Sequence, residues 1–305
     1  MLISSTAFAG ARHPTAGSEQ AVTSAVSSGC VVPDVRGYQT SYARALIDEA
    51  RCRLGTVRGS AAANGTGIVI AERPAPGTQA PARQVVSLVL GPRPRGCRQQ
   101  RFQVLDRTSK LRVWRDAVGD PAEQGGNPRP WSIALQACRP PSGPVVTLWS
   151  INYEDAVQDS SVFSDLRVLG TVVAFVETDS SQYGSAETLE VRDLARGAPG
   201  AGCPRGNQQP AARYCLLTAP VGHTGEPSGP ELPVDKLAEY AIDELGDVAW
   251  VQKLGAVETL YLSTPTAHHP ATIEAAGSIG GVALSAGVLS WSSGGQQHSQ
   301  SVPAA

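Results

Sequence analysis

Of the 305 residues, only three are lysine, against twenty-two arginines, a bias of composition rather than a device. Aromatic residues make up 5% of the chain, which disfavours long helical bundles with large interdigitating side chains. No stretch approaches the ~18 uninterrupted apolar residues of a membrane helix, so an integral membrane protein of that kind is excluded. The six cysteines include no C-x-x-C pair, which removes the usual signature of zinc ribbons and thiol-redox sites. Also missing are a Gly-x-Ser-x-Gly elbow, a Walker loop, a His-Glu-x-x-His pair and an Asp-x-Asp calcium loop. No cofactor is expected.

What is present points to turn-rich β structure. Glycine (32) and proline (23) are abundant, and the length suits two domains at ~100–200 residues each. The formal net charge of -2 conceals a split. From Cys30 to Arg115 there are fifteen basic against five acidic residues, and from Asp116 onward nine against twenty-one. The basic half suits an anionic polymer, although the same arginines would also keep a small domain in solution.

Cysteines at 30, 52, 97, 138, 203 and 215 read as disulfides of an oxidising, extracellular compartment. Fifteen connectivities are possible. Sequential pairing, Cys30 to Cys52, Cys97 to Cys138 and Cys203 to Cys215, is preferred because such modules fold locally. The alternative is six buried thiols in a reducing compartment. The opening Met1–Gly10 ends in an Ala-x-Ala-like site without a basic n-region. Residues 1–29 therefore read as a truncated signal segment or a flexible lead-in.

Ordered structure is predicted from Val31-Val32-Pro33-Asp34-Val35, a short strand before the turn at Gly37. Between Thr40 and Cys52 the period becomes helical, with Tyr42, Ala45, Leu46 and Ala50 on one face and Ser41, Arg44, Asp48 and Arg51 on the other. Gly55 is expected in a left-handed conformation just beyond the helix. Strands are predicted at Gly67–Ala71 and Val85–Leu90, with a rigid turn at 73–78.

The string Val32-Pro33-Asp34-Val35-x-Gly37, the Ala43-Arg44-Ala45-Leu46 helix, Val69-Ile70-x-x-x-Pro74-x-x-Gly77-Thr78-x-x-Pro81 and Val85-Val86-Ser87-Leu88-Val89 together resemble a PASTA domain. That family is the small extracellular module of penicillin-binding proteins and bacterial Ser/Thr kinases. The match covers 31 to about 91. Gln39 stands where the family has a Ser or Thr cap, leaving Thr40 to cap one position late. Cys30 and Cys52 resemble the cysteine pair of an actinobacterial subset.

The resemblance implies a β-α-β-β-β fold and shallow binding of peptidoglycan fragments, or of a wall-located partner, rather than nucleic acid. Arg36, Arg58, Arg73 and Arg83 are the candidates for stem-peptide carboxylates, with Glu72 for amines.

After a linker at 92–97, residues 98–298 show strand-like runs between Gly/Pro-rich turns, leaving 299–305 as a tail. Leu166–Phe175, Ile242–Trp250 and Leu284–Trp291 each read as a glycine, a β run and an aromatic. Thr188–Leu194 adds a strand ending in an Asp-Leu turn. The matching residues Gly170, Ala174, Phe175, Asp193, Leu194, Ala249, Trp250, Trp291, Gly294 and Gly295 resemble actinobacterial secreted proteins of propeller type. The aromatics are 75 and 41 residues apart, the second spacing close to the ~40–50 residues of a blade. The fold class is thus a small α+β module followed by a mainly-β, propeller-like domain with few or incomplete blades, the alternative being a β-sandwich.

His268-His269-Pro270 could bind a metal but reads as a surface turn. His13 and His298 fall in presumed tails and His223 in a Gly/Pro loop. Asn64-Gly65-Thr66 fits a glycosylation sequon, to which no weight is given. Glu154, Asp155, Asp243, Glu244 and Glu258 are the carboxylates a glycosidase could use. The leading expectation is a secreted, non-enzymatic cell-wall protein. The alternatives are a wall hydrolase tethered by the first module, and the sensor part of a kinase or penicillin-binding protein.

Overall fold

The computed structural model describes residues 29–59, 67–92, 97, 103–119, 130–152, 160–181, 184–196, 203, 214–224, 235–267 and 269–303. The lead-in before 29, Asn64–Thr66, linker residues 93–96, His13, Glu154, Asp155 and His268 lie outside the described residues. The protein is mainly β, built from several separate sheets of which none, among the described residues, closes on itself. All three disulfides pair sequentially, Cys30–Cys52, Cys97–Cys138 and Cys203–Cys215, and no cysteine is free. No helix among the described residues is long and apolar enough to cross a membrane.

The first module runs β1 (Cys30–Val31), α1 (Thr40–Glu49), β2 (Arg53–Arg58), β3 (Ile68–Arg73), β4 (Gln79–Ala80) and β5 (Val85–Gly91). Strand β5 is central in a three-stranded sheet, parallel to β2 and antiparallel to β3, while β1 pairs with β4. Thr40 is not a cap: Gln39 holds that position without a side-chain hydrogen bond. The left-handed residue is Arg51 (φ 57°), not Gly55. The amide of Cys52 donates to the Ile47 carbonyl and that of Arg51 to Asp48, a Schellman closure that sets Cys52 in place for its bridge. Gly55 lies inside β2, where an added Cβ would come within 2.5 Å of Val85. The glycine is needed for close strand approach rather than for a turn.

Helix α1 buries two faces, which the sequence period did not separate. Ala43 and Ile47, four apart, enter the module's own core with Val35, Val69, Val86 and Leu88. Tyr42, Ala45 and Leu46 pack into a second core shared with the β domain.

That domain is a succession of antiparallel meanders. The first comprises β6 (Val104–Arg107), β7 (Arg112–Gly119), β8 (Pro130–Cys138) and β9 (Val146–Asn152). The second comprises β10 (Ser160–Leu169), β11 (Val172–Ser181), β12 (Gly184–Asp193) and β13 (Cys215–Thr224). The third is β14 (Asp235–Ile242), β15 (Val248–Leu254), β16 (Val257–Ser263) and β17 (Ala271–Ala276). The last is β18 (Ile279–Ser285), β19 (Val288–Ser293) and β20 (Gln296–Ser301). The second and third form one continuous sheet, joined among the described residues through the pair His223 and Asp235.

Each meander packs its neighbour through a separate apolar layer. Strand β11 sends Val173 and Phe175 to the layer shared with the first meander, and Val172, Ala174 and Val176 to the layer shared with the third. Strand β15 repeats this: Val248 and Trp250 face the second meander, Ala249 and Val251 the fourth. Alternation with period two and burial on both sides explains why these strands read as unbroken apolar runs.

Gly170, Gly246 and Gly287 all occupy the first hairpin turn of their meander, with φ of 59°, 90° and 74°. The three sequence stretches are therefore equivalent positions. Their unequal spacing comes from the long 194–214 connection between β12 and β13 and the 225–234 connection between β13 and β14. The expected tail at 299–305 is corrected, because β20 runs to Ser301 and Val302 is buried. His298, also expected in a tail, stacks on Trp291 at 5.4 Å, and His223 lies in β13 rather than in a loop.

Candidate functional site

The candidate ligand residues of the first module fall into separate groups. Asp34 and Arg36 follow β1 in the turn that leads to α1. Arg36 donates through Nε and Nη2 to the two oxygens of Asp34 at 2.8 and 2.7 Å, a forked pair. The Arg36 guanidinium holds the Asp34 carboxyl below its ordinary range. Glu72, on the core side of β3, accepts from the amide of Val35 at 3.3 Å and stands 3.9 Å from Arg36. Its side chain is buried, and burial pushes its pKa up to about 7. Nearby Asp34 adds to the rise, while the Val35 amide and Arg36 oppose it. Its second oxygen has no hydrogen-bond partner. Glu72 therefore latches the 32–37 turn to the sheet instead of projecting toward an amine in solvent.

Arg58 and Arg73 occupy the opposite, outer face of the β2–β5–β3 sheet, both exposed. Strand register sets this: Arg58 pairs with Val89 and Arg73 with Ser87, whereas the alternate residues Val86 and Leu88 point into the core. The same face carries Arg53, opposite Val85, which the sequence reading overlooked. Val85 and Val89 are 46% and 42% exposed, so the face combines guanidinium groups with an apolar strip. Arg83 stands apart, in the turn before β5 with φ 63°, its amide bonded to the Arg51 carbonyl. A period-two count along β2 would have put Arg53 and Arg58 on opposite faces; the register shift between Leu54 and Val57 brings them to the same one.

In the β domain, three of the carboxylates proposed for hydrolysis, Asp243, Glu244 and Glu258, are engaged elsewhere. Asp243 closes the β14–β15 turn by accepting from the amides of Leu245 and Asp247. Glu244 pairs with Lys110 at 2.8 Å, and Glu258 accepts from the amide of Ile279 at 2.6 Å while facing Lys253 at 3.6 Å. His269 is exposed, and no group of three or more His, Cys, Asp or Glu among the described residues could hold a metal.

Sequence reasoning missed a buried polar set between the first two meanders. Glu190 and Arg192 form an ion pair at 2.5 Å, Thr218 donates to Glu190, and Glu177 accepts from the Trp149 indole at 2.9 Å. Burial raises the pKa of both glutamates. Alternation along Thr188–Asp193 would have sent Glu190 and Arg192 to solvent, had the first meander not covered that face.

No protein-family model matches the chain, and no match is found among curated proteins or solved structures.

Proposed function

We propose that this is an extracellular, non-enzymatic protein whose first module is PASTA-like and holds peptidoglycan fragments, or a wall-located partner, on its outer sheet face. The observation that carries the reading is that face itself, with Arg53, Arg58 and Arg73 around exposed Val85 and Val89. Guanidinium groups on a rigid, open sheet suit carboxylates of an extended anionic ligand, and the valines suit its methyl groups. Three disulfides are compatible with an oxidising compartment. The β domain then serves as a scaffold of propeller-like units stacked in an open array, a reading supported by its successive meanders and the matching first turns of the last three.

The test is co-sedimentation of the full chain with purified peptidoglycan at low and high salt. The chain should pellet at low salt and be released as screening rises. Arg58→Glu combined with Arg73→Glu should weaken retention at least tenfold without changing the melting temperature. A parent chain that stays in the supernatant at low salt refutes wall binding.

A further inference from the structure

A cavity of about 430 Å3 opens between the first and second meanders. One wall is the β8–β9 turn, with Arg139 and Ser142 exposed at its rim. This turn is tightly wound: the Gly143 amide donates to the Arg139 carbonyl, and a Cβ on Gly143 would come within 2.6 Å of that oxygen. The other wall is the segment after β12. Here Asp193 holds the chain by accepting from the Ala195 amide at 2.9 Å and the Thr171 hydroxyl at 2.7 Å, with Arg196 presented beyond it. The floor is apolar, formed by Val146, Leu194 and Tyr214, all buried in the layer between the two meanders.

Two features make this a built site rather than a surface dent. One wall and the floor are stapled next to lining residues: Cys138, bonded to Cys97, precedes Arg139, and Cys215, bonded to Cys203, follows Tyr214. Among the described residues the lining also contains two guanidinium groups and no carboxylate. Arg196 is partly neutralised by Asp193 at 3.5 Å. Arg139 has no carboxylate partner among the described residues.

We propose that this cavity binds a small organic anion, its oxyanion held by Arg139 with help from Arg196 and its apolar body laid on Val146, Leu194 and Tyr214. The volume lies within the ~300–1,000 Å3 of ordinary ligand sites. A forked guanidinium accepts a carboxylate and a phosphate equally well, so the shared chemistry is an oxyanion on an apolar body.

Calorimetric titration of the full chain with phenyl phosphate, benzoate and phenol tests this. At least one of the two anions should bind with a dissociation constant of about 1 mM or tighter, and the stronger of the two identifies the headgroup. Phenol, which has the ring without the charge, should bind at least tenfold more weakly. Arg139→Gln should weaken anion binding at least tenfold while leaving the melting curve unchanged, since Arg139 lies on an exposed turn. The proposal is overturned if neither anion binds, if phenol binds as well as the anions, or if Arg139→Gln binds within twofold of the parent.

Discussion

Removing the Cys30–Cys52 bridge asks whether the first module and the β domain unfold together. The bridge closes a loop with a sequence separation of 22, for which chain entropy gives about 3.4 kcal/mol at 25 °C. Both cysteines are buried among Val32, Val35 and Ile47, so Cys30→Ala with Cys52→Ala is preferable to serine, which would leave hydroxyls in that core. From the sequence, a module of this size should melt alone and leave the β domain untouched.

The structure predicts otherwise, because Tyr38 and Tyr42 lie in one apolar cluster with Val113, Leu135 and Phe175. The two parts are also tied through Gln103, which accepts from the Tyr38 hydroxyl and donates to the Arg36 carbonyl. For a cooperative unit of this size each kcal/mol moves the midpoint by ~2–4 °C, so the loss should be roughly 7–14 °C. Scanning calorimetry of the full chain should show one transition moved down as a whole. Tyr42→Ala, which empties the shared layer at a cost of ~3–5 kcal/mol by analogy with other aromatic truncations, should split it in two. A separate low-temperature peak in the double-alanine protein, with the main peak where the parent has it, would refute the shared core.

Glu72→Gln should raise stability above neutral pH. Its folded pKa of about 7 exceeds the ordinary 4.5, so the folded state holds the extra proton, and stability falls as pH rises between those values. At ~1.4 kcal/mol per tenfold change in proton affinity, the upper limit is about 3.5 kcal/mol. Urea melts of parent and variant should coincide near pH 4 and separate by pH 8 in favour of glutamine; equal separation at both values would refute it. Arg192→Ala should cost ~3–5 kcal/mol at pH 8, since it strands Glu190 in the layer between meanders. The deficit should shrink toward pH 5 as Glu190 takes up a proton, and a pH-independent deficit would show that lost packing dominates.

Much of the framework was legible in the residues because it is decided locally. Cysteine partners are near in sequence, so chain entropy favours their pairing. Glycines 170, 246 and 287 mark hairpins because positive φ is cheapest without a Cβ. The apolar runs of β11 and β15 announced strands, whose burial on both sides came only from the packing. The sequence did not disclose what covers each outer face.

Whether Tyr42 meets solvent or the first meander, and whether Glu190 and Arg192 pair in a dry layer or point into water, depends on segments over twenty residues away. The period of a helix or strand sorts its residues into faces but cannot say how many faces are buried, hence the assignment of α1 to a single face without Ala43 and Ile47. The same holds for the anion cavity. Arg139 and Arg196 stand on turns of different meanders, and only the packing of one sheet on the next brings them to a common opening.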